Sequence, residues 1–266
     1  MPYWRQLDKA SFPLLKFCFS SIENKRKTLI ISAMSCCSSL SFPQKVIDDI
    51  ISYQKSDGGY IDPLETALSA FTAKMALNKN CYKSACNWLL ENKAFAAWGN
   101  SIRDIDRIPV TGQILTLLPE LASQSTLNWM NEEWENDLSS NAPLTYKGAF
   151  VLKAIRCTGG ASTNLVKDTI KFLVEQQNVD GGFGPWKDHP IGSEPWSTGI
   201  ALIGLSAWSH LVGHEVLVKA LDWLGSNQLP NGLWPCHYIE EGSAYCYWGA
   251  VEALKALNKA GHPCAV

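Results

Sequence analysis

The feature that most constrains the fold of this chain is a loop pattern that occurs three times. It consists of glutamine, two variable residues, aspartate or asparagine, glycine, one further residue and an aromatic residue. The copies are residues 54–60 (QKSDGGY), 177–183 (QNVDGGF) and 228–234 (QLPNGLW). Each follows a segment with helical periodicity, and its glycine suits a backbone with positive φ just past a helix end. Such repetition predicts stacked helix pairs.

A second pattern is a proline followed by a strongly apolar segment. It occurs at Pro63, Pro109, Pro143 and Pro195, and proline is favoured in the first turn of a helix. The segments are apolar on nearly every side, which is typical of buried helices. With two similar segments that lack the proline, the predicted inner helices are residues 25–38, 64–77, 110–121, 144–158, 196–211 and 244–258.

More highly charged helical segments alternate with these inner helices. The predicted outer helices are residues 12–19, 46–53, 82–90, 127–138, 166–175 and 218–225. Strand-like alternation of useful length is not found in the sequence. We therefore predict an all-α fold, an α/α barrel (toroid) of about six inner and outer helix pairs, with residues 1–266 forming a single domain. In such a ring, the inner helices begin at one common face.

Composition limits the partners and the compartment. The net charge is −2, and the charge pattern contains no basic stripe, so we expect no nucleic-acid partner. The nine cysteines form no C-x-x-C pair, which favours free thiols in a reducing cytoplasm. The longest uncharged run, residues 28–44, is too short and too polar to span a bilayer. The apolar stretch 12–19 suits either packing on the domain or weak contact with a membrane surface.

The candidate chemical groups are two carboxylates, Asp104 and Asp106, directly before Pro109 and an apolar helix. One interpretation is that they cap this helix. The other is that their mutual repulsion keeps one of them protonated near neutral pH. Arg107 and the helix N-terminus favour the ionised form, so the sequence alone leaves the balance open.

Aromatic residues occur near the starts of several predicted inner helices. Aromatic faces attract cations, with energies on the order of 2 kcal/mol when water is excluded. The same residues would also serve as core packing. The candidates for lining a cavity are Trp98, Tyr146, Trp196, Tyr245 and Trp248.

Further residues near these helix starts have structural interpretations. Tyr60, Phe183 and Trp234 end the loop repeats and are expected to clamp neighbouring helices together. Glu65 and Glu194 would either cap their helices or act as bases.

Residues 219–234 (KALDWLGSNQLPNGLW) resemble the QW repeat of squalene–hopene and oxidosqualene cyclases. Asp104-Ile105-Asp106 resembles the first three positions of the D-x-D-D acid motif of class II terpene cyclases. Arg107 stands where the family has its fourth acid, and Ile108 and Pro109 replace the usual Thr-Ala. A lone unit of this length most resembles the single-domain meroterpenoid cyclases of the merosterolic acid type.

The resemblance implies a class II cyclisation, an isomerase (intramolecular lyase) reaction that begins with protonation. Asp106 would be the general acid, assisted by Asp104. It would protonate the terminal alkene of a polyprenyl chain, geranylgeranyl or farnesyl, attached to an aromatic acid. The five aromatic candidates would contact this substrate, and Arg107 would receive its carboxylate. No cofactor and no metal are implied, since the D-D-x-x-D motif of class I enzymes is absent.

Two alternatives remain open. Zinc-dependent prenyltransferase β-subunits share the fold, and Cys236 and His237 are a candidate ligand pair. Against this, Ala244-Tyr245-Cys246 lacks the histidine that the family has before this cysteine. The third hypothesis is a non-catalytic helical-repeat binding module, which predicts a ring interior closed by side chains and an exposed groove.

Overall fold

The computed structural model of this chain describes residues 3–20, 23–35, 42–140, 143–236 and 242–262. Throughout these residues the regular structure is helical, and no strand occurs among them. The α-helices in this part of the chain are α1 (Tyr3–Ser20), α2 (Asn24–Met34), α3 (Gln44–Ser52), α4 (Pro63–Met75), α5 (Lys79–Glu91), α6 (Ile108–Leu117), α7 (Gln124–Ser139), α8 (Thr145–Thr158), α9 (Thr163–Glu175), α10 (Pro195–Ser206), α11 (His214–Ser226) and α12 (Gly242–Lys259).

Each predicted helix corresponds to one of these elements. The largest difference is at an N-terminal end, since a helix was predicted over residues 12–19 and α1 begins at Tyr3. Several C-terminal ends also differ, and the predicted helix 196–211 ends as α10 at Ser206. Residues 110–121 were predicted as one helix, but α6 ends at Leu117 and a short 3₁₀ turn follows over Pro119–Leu121. Proline at 119 cannot donate the hydrogen bond that would continue the helix. The predicted helix 25–38 ends as α2 at Met34, and its residues 36–38 lie outside the described part.

The even-numbered helices form a closed inner ring. In the order α2, α4, α6, α8, α10 and α12, each contacts the next, and α12 contacts α2. The odd-numbered helices pack on the outside of this ring. Close approach within the ring depends on small residues. A Cβ added at Gly204 of α10 would lie 2.7 Å from Cα of Ala149 on α8. The predicted α/α toroid is therefore confirmed.

The three loop repeats join neighbouring outer helices by one shared arrangement. In each copy the glutamine amide donates one hydrogen bond to the carbonyl of the repeat's own glycine and one to the next outer helix. The outer-helix acceptors are the carbonyls of Cys81 for Gln54, Val216 for Gln177 and Gln6 for Gln228. Since Gln6 lies on α1, the third repeat ties the last outer helix to the first and closes the outer layer.

The glycines of these repeats have the predicted backbone conformation. Gly58, Gly181 and Gly232 have φ of +93°, +93° and +89°. Each lies against a backbone carbonyl of the next outer helix, so a side chain there would be both strained and in collision. Glycine is therefore required at these positions for two reasons: the positive φ and the close approach of a neighbouring backbone.

Among the described residues, no helix combines the length and the apolar character that crossing a membrane requires.

We predict that Gly181→Ala destabilises the fold by about 2–4 kcal/mol, because positive-φ strain and overpacking act together. Its added Cβ would lie 2.8 Å from the Lys219 carbonyl oxygen. Gly159→Ala is the matched control, since Gly159 has φ +74° but nothing within 4 Å of its added Cβ. The control should lose only about 1 kcal/mol. Urea unfolding of both variants checks this, and equal losses would show that the loop contact adds nothing.

Candidate active site

Asp104 is held as a charged group at the surface end of α6. Its carboxylate accepts bonds from Arg107 Nε at 2.6 Å and Nη2 at 3.1 Å. It also accepts from the backbone and side-chain amides of Asn100, both at 3.0 Å, and from Ile105 N. The Arg107 hydrogen bond, together with these backbone bonds, lowers the pKa of Asp104 well below its ordinary range. A carboxyl in this setting holds no proton in reserve.

Asp106 is half-buried and ties two parts of the loop between α5 and α6 together. One oxygen accepts from Phe95 N at 3.1 Å and the other from Ala96 N at 2.8 Å. Both carboxylates thus bond within residues 92–107 rather than to the first turn of α6. The helix N-cap, Arg107, makes no side-chain capping bond. Capping of α6 is therefore not their role.

Trp98 is completely buried in the wall between α5 and α6. Its indole Nε1 donates to the Leu89 carbonyl at 2.7 Å, just as Trp234 donates to the Leu224 carbonyl at 2.8 Å. Its own backbone N–H donates to Thr111 Oγ1 at 3.2 Å. These contacts make Trp98 a clamp between α5 and α6.

The backbone contact of Trp98 belongs to a set of four that joins a loop to the start of α4, α6, α10 or α12. In each, the N–H of the loop aromatic residue donates to a hydroxyl on the following inner helix, at 2.9–3.2 Å. The pairs are Tyr60 with Thr66, Trp98 with Thr111, Phe183 with Thr198 and Trp234 with Ser243. The residues that directly precede these hydroxyls therefore occupy equivalent positions around the ring.

Three of the predicted aromatic residues come together, joined by one that the sequence analysis missed. The ring centroids of Tyr146 and Trp196 are 5.4 Å apart, and those of Trp196 and Tyr245 are 6.4 Å apart. Phe150 contacts Tyr245 edge to face, at 6.3 Å. These four residues, the aromatic cluster, come from the first two turns of α8 and from the first turns of α10 and α12. Their faces form a surface suited to a cation.

A hydrogen bond across the ring shows that the aromatic cluster borders its interior. The Tyr245 hydroxyl donates to Gln113 Oε1 at 2.6 Å. Tyr245 lies on α12 and Gln113 on α6, which are opposite each other in the six-helix order. Trp248, one turn beyond Tyr245, is also buried, and its Nε1 has no hydrogen-bond partner among the described residues.

The two glutamates near inner-helix starts have different roles. Glu194 is fully buried and caps α10 by accepting from the backbone N–H groups of Trp196 and Ser197. Asp62 performs this task for α4, accepting from Glu65 N at 2.8 Å. Glu65 is thereby left free of capping.

Glu65 lies between α4 and α2 and is only 2% exposed. Its Oε1 accepts from Asn24 Nδ2 at 2.8 Å, and the same amide donates to Ser69 Oγ at 3.1 Å. Burial raises the pKa of Glu65, and the hydrogen bond from Asn24 opposes that rise. The shift at Glu65 therefore runs opposite to that at Asp104, whose pKa is lowered.

A cleft of about 440 Å³ lies beside the start of α12, within the size range of ligand sites. Its walls come from α1, α2, the third loop repeat and the first turn of α12. Lining residues include Leu14, Ile30, Trp234, Cys236 and Ala244. Asp104 and Asp106 are not among its described lining residues.

The described residues do not provide a set of ligands for the zinc that a prenyltransferase would need. Among the described residues, no group of three or more His, Cys, Asp or Glu side chains is placed to hold a metal ion. Cys236 is described, but His237 lies outside the described residues. Burial raises the pKa of the neighbouring Cys246 thiol, which disfavours the thiolate that zinc would need.

Comparison with known proteins gives the fold. No family model matches the chain. Lanosterol synthase of Pneumocystis carinii is 30% identical over 107 residues, which is 36% of this chain and 15% of that protein. The chain thus spans a small part of this curated relative's length.

Solved structures match over nearly the whole chain. A variant of the type II terpene cyclase MstE from Scytonema, in complex with geranylgeranyl dihydroxybenzoate, aligns with a TM-score of 0.72 at 15% identity, covering 96% of this chain and 99% of that one. The ent-copalyl diphosphate synthase of Streptomyces platensis aligns at 0.63 over 88% of this chain and 50% of that one, with 15% identity. Haptocorrin in complex with Cbi aligns at 0.60 over 93% and 66%, with 12% identity. The chain therefore has the fold of type II terpene cyclases, a fold that also occurs in a protein not named as a cyclase.

The raised pKa of Glu65 predicts a pH-dependent effect of Glu65→Gln on stability. The folded protein binds this proton more tightly than the unfolded chain, whose ordinary value is 4.5. The contribution of the carboxyl is therefore complete below that value and is lost as pH rises through the folded pKa. Unfolding free energies measured from about pH 4 to about pH 8 should show the Gln variant gaining relative to wild type. Glu91→Gln, at an exposed site on α5, is the control. A difference that stays constant with pH would argue against a raised pKa.

Proposed function

We propose that this chain catalyses the proton-initiated cyclisation of a polyprenyl chain carried on an aromatic acid. The observation that carries this proposal is the aromatic cluster bordering the ring interior of a type II terpene cyclase fold. The substrate class is suggested by the MstE complex with geranylgeranyl dihydroxybenzoate, since that chain is covered almost completely.

The chemistry requires a cation to form and survive inside the protein. A carboxyl O–H proton adds to one carbon of the terminal alkene, and the π electrons form the new C–H bond. The other carbon becomes a cation, which the next double bond attacks to close a ring. The last cation then loses a proton to a base. One proton is gained and one is lost, so the product is an isomer of the substrate. The faces of Tyr146, Phe150, Trp196 and Tyr245 supply cation stabilisation of about 2 kcal/mol each where water is excluded.

Two carboxyls compete for the role of proton donor. Asp106 is the donor that the sequence resemblance predicts, and it stays a prediction. Its two oxygens accept backbone N–H bonds from Phe95 and Ala96 within the loop between α5 and α6. Glu65 is buried, with a pKa that burial raises, at the third residue of an inner helix. We therefore propose Glu65 as the donor to be tested beside Asp106, with Asn24 and Ser69 positioning its carboxyl.

Arg107, predicted to bind the substrate carboxylate, is already paired with Asp104. The Arg107 side chain is 46% exposed and bonded to Asp104 through two nitrogens. A substrate carboxylate at Arg107 would compete with Asp104 for the same guanidinium. We propose that any such contact is made at the solvent side of the aromatic cluster.

We predict that purified protein, with EDTA present, converts geranylgeranyl dihydroxybenzoate to a cyclic isomer of unchanged mass. Glu65→Gln keeps the shape of the side chain and its acceptor for Asn24 but cannot donate the acidic proton. It should lower kcat by about 10²–10⁴, the usual contribution of a general acid. Asp106→Asn should mainly loosen the loop and leave kcat within about tenfold. Mass spectrometry and NMR of the product, with thermal unfolding as a folding check, measure both.

The reverse pattern would assign the donor to Asp106, and full activity in both variants would remove both carboxyls from the mechanism. The chelator excludes a zinc-dependent prenyl transfer as the source of any product. Absence of a cyclic product from folded wild-type protein, with farnesyl as well as geranylgeranyl substrates, would contradict the proposed function.

A further inference from the structure

A second cleft lies at the end of the ring where the inner helices finish, opposite the aromatic cluster. Its volume is about 610 Å³. Its walls come from the last turns of α8 and α10, the second half of α12 and the first residue of α11. Three small side chains, Ala207, Ala256 and Ala260, line it and leave it open. The aromatic cluster belongs to the other ends of the same three inner helices, so this cleft is separate from the candidate active site.

The charged side chains around this cleft are mainly cationic. Arg156, Lys255 and Lys259 carry three positive charges, and the one lining carboxylate among the described residues is Glu252. Glu252 Oε2 accepts from Lys153 Nζ at 2.7 Å, so its charge is already offset. Neither Arg156 nor Lys259 has an ion-pair partner in the described part of the chain. The cleft therefore carries an excess of positive charge, which attracts anions.

A buried hydroxyl at the end of α10 lacks a hydrogen-bond partner. Ser206 lines the cleft and is 7% exposed, and its Oγ forms no hydrogen bond with any described residue. A hydroxyl in a helix can donate to the carbonyl four residues earlier, as Thr158 does to Ala154 at the end of α8. A buried hydroxyl left without a partner costs free energy. Ser206 is therefore a polar group that a ligand oxygen in the cleft would satisfy.

Aromatic contacts hold two of the lining side chains in place. The Arg156 guanidinium lies over the Trp208 ring, 5.4 Å from its centroid, and the His210 ring centroid is 5.9 Å from that of Trp208. The indole of Trp208 is itself fixed, because its Nε1 donates to the Leu152 carbonyl at 3.0 Å. An arginine positioned in this way loses less conformational entropy when it binds an anion.

Stabilisation of helix ends explains part of this charge. Arg156 and Lys259 lie in the last turns of α8 and α12, where cations interact favourably with the helix dipole. That interaction accounts neither for the open volume beside them nor for the unpartnered hydroxyl of Ser206. An anion that binds several of these groups at once would account for all of them.

We propose that this cleft, the cationic cleft, binds the diphosphate group of a small phosphorylated ligand. Arg156 offers a planar fork of N–H donors to the phosphate oxygens, and Lys255 and Lys259 add point charges. The Ser206 hydroxyl donates to a further oxygen. A diphosphate matches three cations better than a single phosphate does, since a phosphate ester carries a charge of about −1.5 to −2 near pH 7. This binding goes beyond the proposed cyclisation and does not depend on it.

The test is isothermal titration calorimetry of the full chain with inorganic diphosphate, inorganic phosphate and adenosine diphosphate, at fixed ionic strength and without divalent cations. We expect one saturable site for diphosphate, with phosphate bound at least roughly tenfold more weakly because it meets fewer of the cations. Adenosine diphosphate bound no more tightly than diphosphate would show that the diphosphate group alone is recognised. Tighter binding would identify a nucleotide, with Trp208 and His210 as the neighbouring rings.

Substitutions assign the binding to this cleft. Arg156→Gln should weaken diphosphate binding at least about tenfold, because the charge and the fork of donors are lost. Lys259→Gln is a second test, with an expected loss of about three- to tenfold. Lys83→Gln, at an exposed site on α5, is the matched control and should bind as wild type does.

Ser206→Ala separates ligand binding from a structural role. It should weaken diphosphate binding about three- to tenfold. The thermal midpoint of the free protein should stay the same or rise, because the hydroxyl has no partner in the fold to lose. A lower midpoint would show that Ser206 serves the fold instead and would remove it from the site.

The proposal would be overturned if folded wild-type protein bound no diphosphate saturably, or if it bound phosphate as tightly. Unchanged binding in both Arg156→Gln and Lys259→Gln, or an equal loss in Lys83→Gln, would also overturn it. Cyclisation is measured separately in phosphate-free buffer, where Arg156→Gln should react at the wild-type rate. A wild-type protein that binds diphosphate but forms no cyclic product would contradict only the proposed function.

Discussion

The hydrogen bond from a loop aromatic N–H to a hydroxyl on the following inner helix is the contact on which the architecture depends. It occurs at Thr66, Thr111, Thr198 and Ser243, at nearly the same distance each time. Because it joins the end of a loop to a fixed point on the helix, it sets the register of every inner helix that carries it. The glutamine bonds of the loop repeats then fix the outer layer, up to the closure at Gln6 on α1.

This register separates the carboxyls at one end of the ring into three kinds. Glu194 caps its helix, Asp104 is paired with arginine at the surface, and Glu65 is buried beside an amide. The pKa is lowered at Asp104, which is paired with a cation at the surface, and raised at Glu65, which is buried away from water. A protonating enzyme needs the third kind.

The repeats predicted the fold because they report local constraints that recur. Positive φ at Gly58, Gly181 and Gly232, and proline at the starts of α4 and α10, follow from backbone chemistry that can be read along the chain. The ring order could be predicted because inner and outer helices alternate along the chain.

The site was less predictable because its contacts join distant parts of the chain. Asp106 bonds to N–H groups ten and eleven residues upstream, which spacing within D-x-D cannot reveal. Trp98 resembled a cavity residue until its bonds to Leu89 and Thr111 showed it to be a clamp. The membership of Phe150 in the aromatic cluster could have been predicted from its position one turn beyond Tyr146 on the same helix. The bond between Gln113 and Tyr245 and the bond between Glu65 and Asn24 join helices that meet only in the folded ring, so the sequence alone could not predict them.

The central claim is that a proton from the protein enters a carbon–carbon double bond inside this ring. The most direct measurement is cyclisation of geranylgeranyl dihydroxybenzoate by protein equilibrated in D₂O, with the product washed in H₂O before mass spectrometry and NMR. The account predicts a cyclic product that keeps a single deuterium on a carbon derived from the terminal alkene. A cyclic product without deuterium at carbon would contradict it, because the ring would then have formed without protonation by an exchangeable group.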